Sequence, residues 1–192
     1  MSKNIPIGIS GRHLHISQAD LETLFGKGYQ LTPMKDLSQP GQYAAQETVE
    51  VKTEKGSFKS VRILGPVRKQ TQIELSLTDA IKLGIKPPVR DSGDLNQSPG
   101  ATIVGPQGQV TINEGVVCAA RHIHMTPADA AVLNVKDKEL VSVKLDGERG
   151  AVLCNVLVRI HDTFKLEMHV DTDEGNAVMA KTGDKVELVK CC

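Results

Sequence analysis

Polar and apolar residues alternate with a period of two along much of this chain, the pattern of strands with one buried face. Glu47–Thr53 alternates, Glu54–Ser57 supplies a turn, and Phe58–Leu64 alternates again, which predicts a hairpin. Gln72–Leu77 alternates with Glu74 on its polar face, and Ser76–Gly84 reads as a short helix that stops at glycine. Further strands are predicted at Ala101–Val104 and Val110–Ile112 about a turn at Gln107–Gln109. Leu140–Leu145 and Ala151–Ile160 flank a second turn, Asp146–Gly150, and Lys165–Val170 and Val186–Val189 follow, with a turn or helix start at Asp173–Ala177. Tyr29–Gln46, with Pro33, Pro40 and Gly41 and little periodicity, reads as a connection or lid, and Asp91–Gly100 as a loop. Many short strands with small helices predict a mainly β protein, barrel or sandwich.

Apolar runs of strand length, Ile5–Ile9 and Val116–Ala120, precede two copies of one motif. Gly11-Arg12-His13-Leu14-His15-Ile16-Ser17-Gln18-Ala19-Asp20 is echoed by Ala120-Arg121-His122-Ile123-His124-Met125-Thr126-Pro127-Ala128-Asp129 at a constant offset, 122 − 13 = 109. Leu24 and Leu133 keep that register. Ser17 and Thr126 stand where helix N-caps belong, Asp20 and Asp129 are placed as capping-box partners, and Pro127 fits a first helical position. The repeated unit is therefore strand, His-x-His, short helix.

Residues i and i+2 of a strand share a face, so His13 projects with His15 and His122 with His124. Two imidazoles fixed side by side supply two legs of a metal site with little freedom to lose, and a zinc site needs at least one protein ligand more. His169 lies on one face with Glu167 and Asp171; His161 ends a strand and reads as a loop residue. Acidic candidates for a third ligand are Glu22, Glu47, Glu50, Glu74, Glu167, Asp171 and Asp173. Arg68 is a candidate clamp for an oxyanion beside the metal.

Composition narrows the ligand. Lys plus Arg and Asp plus Glu are 23 each, so the chain lacks the basic excess of a general nucleic-acid or membrane-surface binder. Aromatics are 3% with no Trp, little material for stacking bases or sugars. At 192 residues, one domain or two small ones are open. No apolar run approaches the roughly 20 residues of a membrane span, so a cytoplasmic protein is expected. Cys118, Cys154, Cys191 and Cys192 include no C-x-x-C pair and form neither a disulfide framework nor a four-thiolate zinc site.

Four stretches in order, Gly11–His15, Gly65–Glu74 (GPVRKQTQIE), Ala120–Met125 and Met168–Glu174 (MHVDTDE), resemble the PduL-type phosphate acyltransferases, the phosphotransacylase or phosphate propanoyltransferase family. The resemblance runs from Ile5 to Val189. It implies two small β-barrel domains capped by short helices, residues 1–11 plus 120–192 and residues 12–119, with the active site at their interface. It implies two zinc ions, one held by His13, His15 and Glu74 and the other by His122, His124 and His169. Arg68 matches the phosphate-contacting, catalytic arginine, and Ser10, Gly11, Arg12, Lys55, Arg62 and Asn176 match positions that contact coenzyme A. The implied substrates are short-chain acyl-CoA, such as propanoyl-CoA or acetyl-CoA, with phosphate, giving acyl phosphate and CoA by direct transfer. Under that reading the first zinc takes the CoA sulfur, while the second and Arg68 orient phosphate. Cys118, in an apolar strand, is expected to be an inert thiol rather than a nucleophile.

Two other readings compete: a bicupin-like metalloenzyme and a non-enzymatic, zinc-stapled interaction module. A cupin glutamate follows its His pair within a few residues, whereas the first Glu after His15 is Glu22 in the predicted helix. Closed four-ligand sites would favour the structural module. Metallo-hydrolases of the H-x-H-x-D-H type are excluded because Ile16–Gln18 and Met125–Pro127 lack the acid. Some family members enter bacterial microcompartments on an N-terminal extension; with four residues before Ile5, that route is not expected here, and another recruitment signal stays open. Homo-oligomerisation is left open, as is any role of Cys191 and Cys192.

Overall fold

Alternating burial along the longer strands shows how the chain folds: in Tyr43–Lys52, Ala45, Glu47, Val49 and Val51 point inward while their neighbours face outward or lie part-buried. A computed structural model describes residues 4–189; Cys191 and Cys192 lie outside the described residues. In chain order the elements of the first half are β1 (Asn4–Ser10), β2 (His13–His15), α1 (Gln18–Phe25), β3 (Pro33–Asp36), β4 (Tyr43–Lys52), β5 (Ser57–Gly65), β6 (Gln72–Glu74), α2 (Leu77–Leu83), β7 (Val89–Arg90), β8 (Ala101–Val104) and β9 (Gln109–Ile112). The second half has β10 (Val116–Ala119), β11 (His122–Met125), α3 (Pro127–Leu133), β12 (Leu140–Leu145), β13 (Ala151–Ile160), β14 (Glu167–Asp171), α4 (Thr172–Ala177) and β15 (Lys185–Val189). None of these helices is long and apolar enough to cross a membrane.

The chain divides into two units. The first takes residues up to Gly11, Ser38–Pro40 and residues from Ala120 onward; the second takes Arg12–Leu37 and Gly41–Ala119. Mainly β structure with few short helices is what the alternation predicts, and both units have it.

The first unit is a closed barrel in the order β1-β14-β11-β13-β12-β15, with β15 returning to β1. Its core is Ile5 and Ile7 of β1 packed with Ile123, Met125, Val143, Val156, Val158, Met168, Val170 and Val186. The second unit is a curled, nine-stranded half-barrel ordered β7-β10-β6-β2-β5-β4-β8-β9, with β3 on β4. Leu14, Ile16, Leu21, Leu24, Val49, Val51, Val61, Ile63, Ile73 and Ile103 fill it.

Local chemistry sets the helix starts. Thr126 closes a full capping box over α3, its hydroxyl accepting from Asp129 N and its own N–H donating to the Asp129 carboxylate. At α1 the box is only half made. Ser17 Oγ accepts from Asp20 N at 3.2 Å, but the Ser17 N–H donates to Thr71 Oγ1 at 2.9 Å, because Thr71, just ahead of β6, offers a competing acceptor. Gly84 ends α2 with φ of 67°, a conformation that favours glycine. The Tyr29–Gln46 segment is more ordered than its composition suggests: β3 pairs with the start of β4. All four residues of β3 are exposed, so no burial alternation marks it in the sequence, and Pro33 sits at its first position, where a strand tolerates proline.

Candidate functional site

His13 and His15 lie on the three-residue strand β2, held between β5 in parallel and β6 in antiparallel register. Both are buried, and their rings meet edge-on with centroids 5.2 Å apart. The antiparallel register sets Glu74 directly across from His13. Glu74 Oε2 is 3.5 Å from His13 Nε2 and Oε1 is 3.8 Å from His15 Nε2. Gln72 and Ser92 hold the carboxylate: Gln72 Nε2 and Ser92 Oγ donate to Oε1 at 2.6 and 2.9 Å. Arg68 Nη1 reaches the same Ser92 hydroxyl at 3.3 Å, and its backbone N–H donates to Ile16 O. Burial, then His13 and Arg68, push His15 down to about 3 against the pull of Glu74, so its ring is neutral at pH 7. Burial alone would raise Glu74, but His13, His15, the Ser92 hydroxyl and Arg68 outweigh it and hold the carboxyl at about 2. A neutral imidazole beside a carboxylate is the protonation state in which both offer lone pairs to a cation.

The second group sits in the barrel. His122 and His124 on β11 face His169 on β14, and His122 and His169 are cross-strand partners. The three ring centroids lie 4.7, 5.0 and 5.2 Å apart. His122 Nδ1 is 2.8 Å from Ala120 O, and the His169 Nε2–H donates to Glu167 Oε2 at 2.5 Å. Burial, then His122 and His169, push His124 down to about 2. Glu167, buried and also bonded by the Ser38 hydroxyl, has its carboxyl below the ordinary range: burial opposes this, and the bonds from His169 and Ser38 prevail.

Each set, His13/His15/Glu74 and His122/His124/His169, offers one ligand atom per residue, all within 4.8 Å of one another. The Nδ1 atoms of His15 and His124, the second histidine of each pair, are buried and have no hydrogen-bond partner. A buried polar atom left unsatisfied costs about 1–3 kcal/mol. Imidazoles held neutral, an ionised carboxylate at the first group and ligand atoms clustered this closely fit a metal such as zinc.

The repeat extends beyond its sequence motif. Each His-x-His strand runs parallel to a long strand, β5 or β13, and antiparallel to a short one, β6 or β14, that carries the third member of its group opposite the first histidine. Glu74 and His169 therefore occupy equivalent places, and each stands two residues before a helix N-cap, Ser76 or Asp171. The strands that feed the motifs, β1 and β10, run parallel to β14 and β6, where Gly8 pairs with His169 and Val117 with Glu74.

The other expected site residues are placed as follows. Arg12 donates to both oxygens of the buried Asp79 at 2.9 and 2.8 Å, and its guanidinium carbon stands 4.3 Å from the Phe58 ring centroid, with Lys82 Nζ at 4.6 Å. Lys55 is exposed, its stem against Gly84 at the end of the same helix α2. Arg62 pairs with His13 in the β2–β5 register and donates to the carbonyls of Ala45 and Gln46 at 3.1 and 2.7 Å. In the first unit, Ser10 pairs with Asp171 at the end of β1, Gly11 is exposed, and Asn176 is exposed on α4. His161 stays outside both clusters: it is exposed and bonded to Thr163. Among the acidic candidates, Glu50 pairs with Lys59 at the surface and Asp171 caps α4. Cys118 is buried on β10. Sequence reasoning passed over Asp79, Gln72, Ser92 and Ser38. Of these only Gln72 carried a signal, two residues from Glu74 and therefore on its face of the strand.

The fold and clusters define a β protein with two histidine-rich triads, each able to hold a metal ion, on one repeated strand arrangement. Residues 6–181 match the family model for phosphate propanoyltransferase. Among similar proteins, phosphate propanoyltransferase of Thermotoga maritima is 56% identical over 97% of this chain and 89% of its own length. Those of Rhodopseudomonas palustris and Lachnoclostridium phytofermentans are 48% and 50% identical, over 97% and 96% of this chain and 82% and 87% of theirs. The chain belongs to the phosphate propanoyltransferase family and is a phosphate acyltransferase.

Proposed function

We propose that this chain interconverts short-chain acyl-CoA plus phosphate with acyl phosphate plus CoA, propanoyl-CoA or acetyl-CoA being the acyl donors, with two zinc ions as cofactors. The observation that carries the reading is the pair of triads, each with three ligand residues among the described residues. Three protein ligands at a tetrahedral ion leave a position for substrate, as a catalytic site needs and a structural site does not. When bound, zinc would supply Lewis acidity toward the thioester and phosphate and would stabilise the departing sulfur as thiolate.

The residues of the chain do the rest. His13, His15 and Glu74 hold one ion, and His122, His124 and His169 the other. Arg68, steadied through Ser92, presents a planar fork that suits a phosphate oxygen pair. A phosphate oxygen forms the new bond to the acyl carbonyl carbon, the C–S bond breaks, and its electron pair leaves with the sulfur. Rate then comes from positioning and electrostatics, with no acyl-enzyme required and Cys118 outside the reaction. Ser10, Gly11, Arg12, Lys55, Arg62 and Asn176 are assigned to CoA, the basic members suiting its phosphates.

The test is release of CoA thiol from acetyl-CoA and propanoyl-CoA, followed with and without phosphate, before and after metal stripping and zinc return. Release that requires phosphate and is restored by zinc is expected, and the faster donor ranks the acyl preference. A folded, zinc-loaded protein that releases no thiol would overturn the proposal.

A further inference from the structure

Glu167 is a buried carboxylate that is not a member of either ligand set, yet every feature around it converges on one of the ligands. Its Oε2 accepts from the His169 Nε2–H at 2.5 Å and from the Ser38 hydroxyl. Ser38 is held in place by its neighbour Gln39, buried at 3% exposure, whose amide pairs with the Lys165 backbone in both directions: Nε2 donates to Lys165 O at 2.9 Å and Oε1 accepts from Lys165 N at 3.2 Å. On the neighbouring strand, Gly8 pairs with His169, and a Cβ placed on Gly8 would stand 3.1 Å from Glu167 Cδ, tighter than ordinary contact. The carboxylate thus sits in a cradle made by a hydroxyl, an imidazole and the missing side chain of a glycine.

We infer that Glu167 is the positioning residue for the His122/His124/His169 site, fixing the His169 ring and its tautomer so that Nδ1 presents a lone pair to the ion. The inference rests on the metal reading above. A carboxylate behind a ligating histidine both orients the ring and raises its basicity. The partner of His122 is a backbone carbonyl, and Glu74 is held by the neutral groups of Gln72 and Ser92. His169 by contrast is bonded to a carboxylate outside both ligand sets, so a single removable side chain acts on the His122/His124/His169 site.

The experiment compares wild type, Glu167→Gln, Ser38→Ala and Gly8→Ala. Each protein is stripped with chelator, checked for folding by circular dichroism, and titrated with Co²⁺ against a chromophoric chelator while the d–d bands of the bound ion are recorded. Wild type is expected to take two ions. Glu167→Gln should weaken one of them by about 10–100-fold and alter its d–d band, leaving the other unchanged. Gly8→Ala, which keeps every polar group but crowds the carboxylate, should weaken the same ion. Ser38→Ala should do so more mildly. A role confined to packing would move the melting temperature of the stripped protein but not the spectrum of one ion. Two ions bound by Glu167→Gln and Gly8→Ala with wild-type affinity and spectrum would overturn the inference. Should Glu167→Gln fail to fold, Gly8→Ala and Ser38→Ala decide it by the same criterion. A wild type that takes no ion would instead refute the metal reading.

Discussion

Glu47 points into the core of the half-barrel with both oxygens engaged: Tyr29 Oη donates to Oε1 at 3.0 Å, and the Thr32 N–H reaches both oxygens at 3.1 Å. Burial by itself would raise its carboxyl, but the bonds from its own backbone, Thr32 and Tyr29 leave it below the ordinary 4.5. A carboxyl whose pKa is lower folded than unfolded contributes stability that is present above the unfolded value and is lost as pH falls through the folded one. The stability gap between wild type and Glu47→Gln, measured by urea midpoints, should therefore be largest at pH 5 and above and narrow as the pH drops below about 4. A gap that stays constant across that range would mean that the charge contributes nothing and only the shape of the side chain matters. Burial of a charged group is tolerable here for the same reason that Glu74 and Glu167 are ionised inside their units: each carboxylate accepts at least two hydrogen bonds.

Short elements are set by their first residue. Thr126 and Ser76 each accept the N–H three residues on, and replacing either with alanine should lower stability by about 1 kcal/mol, measured by urea unfolding. Ser76→Ala has a further consequence under the proposed assignment of Arg12 to CoA, since α2 carries Asp79, the bidentate partner of Arg12: a frayed helix start should weaken CoA binding more than loss of the cap at α3 does. Caps of this kind are legible in the chain because they depend on residues three apart, as are the His-x-His strands, which depend on residues two apart. The third members of the two triads are not legible that way. Glu74 follows His13 by 61 residues and His169 follows His122 by 47, so the offset of 109 that aligns the motifs fails by 14 at the third ligand. The first half contains β3 and the turn before β4 between its motif and its third ligand, and the exposed edge strand β3 has no burial pattern to announce it. Resemblance to a family supplied Glu74 and His169. Glu167 stood among the acidic candidates through its i−2 spacing from His169, but its bond to Ser38 spans 129 residues and becomes visible only once β14 is folded.

At the scale of the molecule, the barrel closes with a strand from the far end of the chain. β1 pairs in parallel with β14 and antiparallel with β15, filling the gap between the two strands that would otherwise be edges. Ile5 and Ile7 are fully buried in that position. Burying two such side chains is worth about 3–6 kcal/mol, comparable with the 5–15 kcal/mol net stability of a typical domain. A fragment spanning residues 120–189 should therefore be largely unfolded by circular dichroism, with two strand edges unpaired. Joining residue 189 to residue 4 through a short Gly/Ser linker, with the chain ending at Gly11, should restore a cooperative melt. The linker can be short because Asn4 pairs with Glu187 in the antiparallel ladder, so the new connection is a hairpin. The joined fragment retains His122, His124, His169, Gly8 and Glu167 but not Ser38, so it should also bind one Co²⁺ ion, more weakly than the whole chain does. A fragment 120–189 that melts cooperatively without β1 would show that the barrel core is sufficient alone and that the strand serves only to present the residues that follow it.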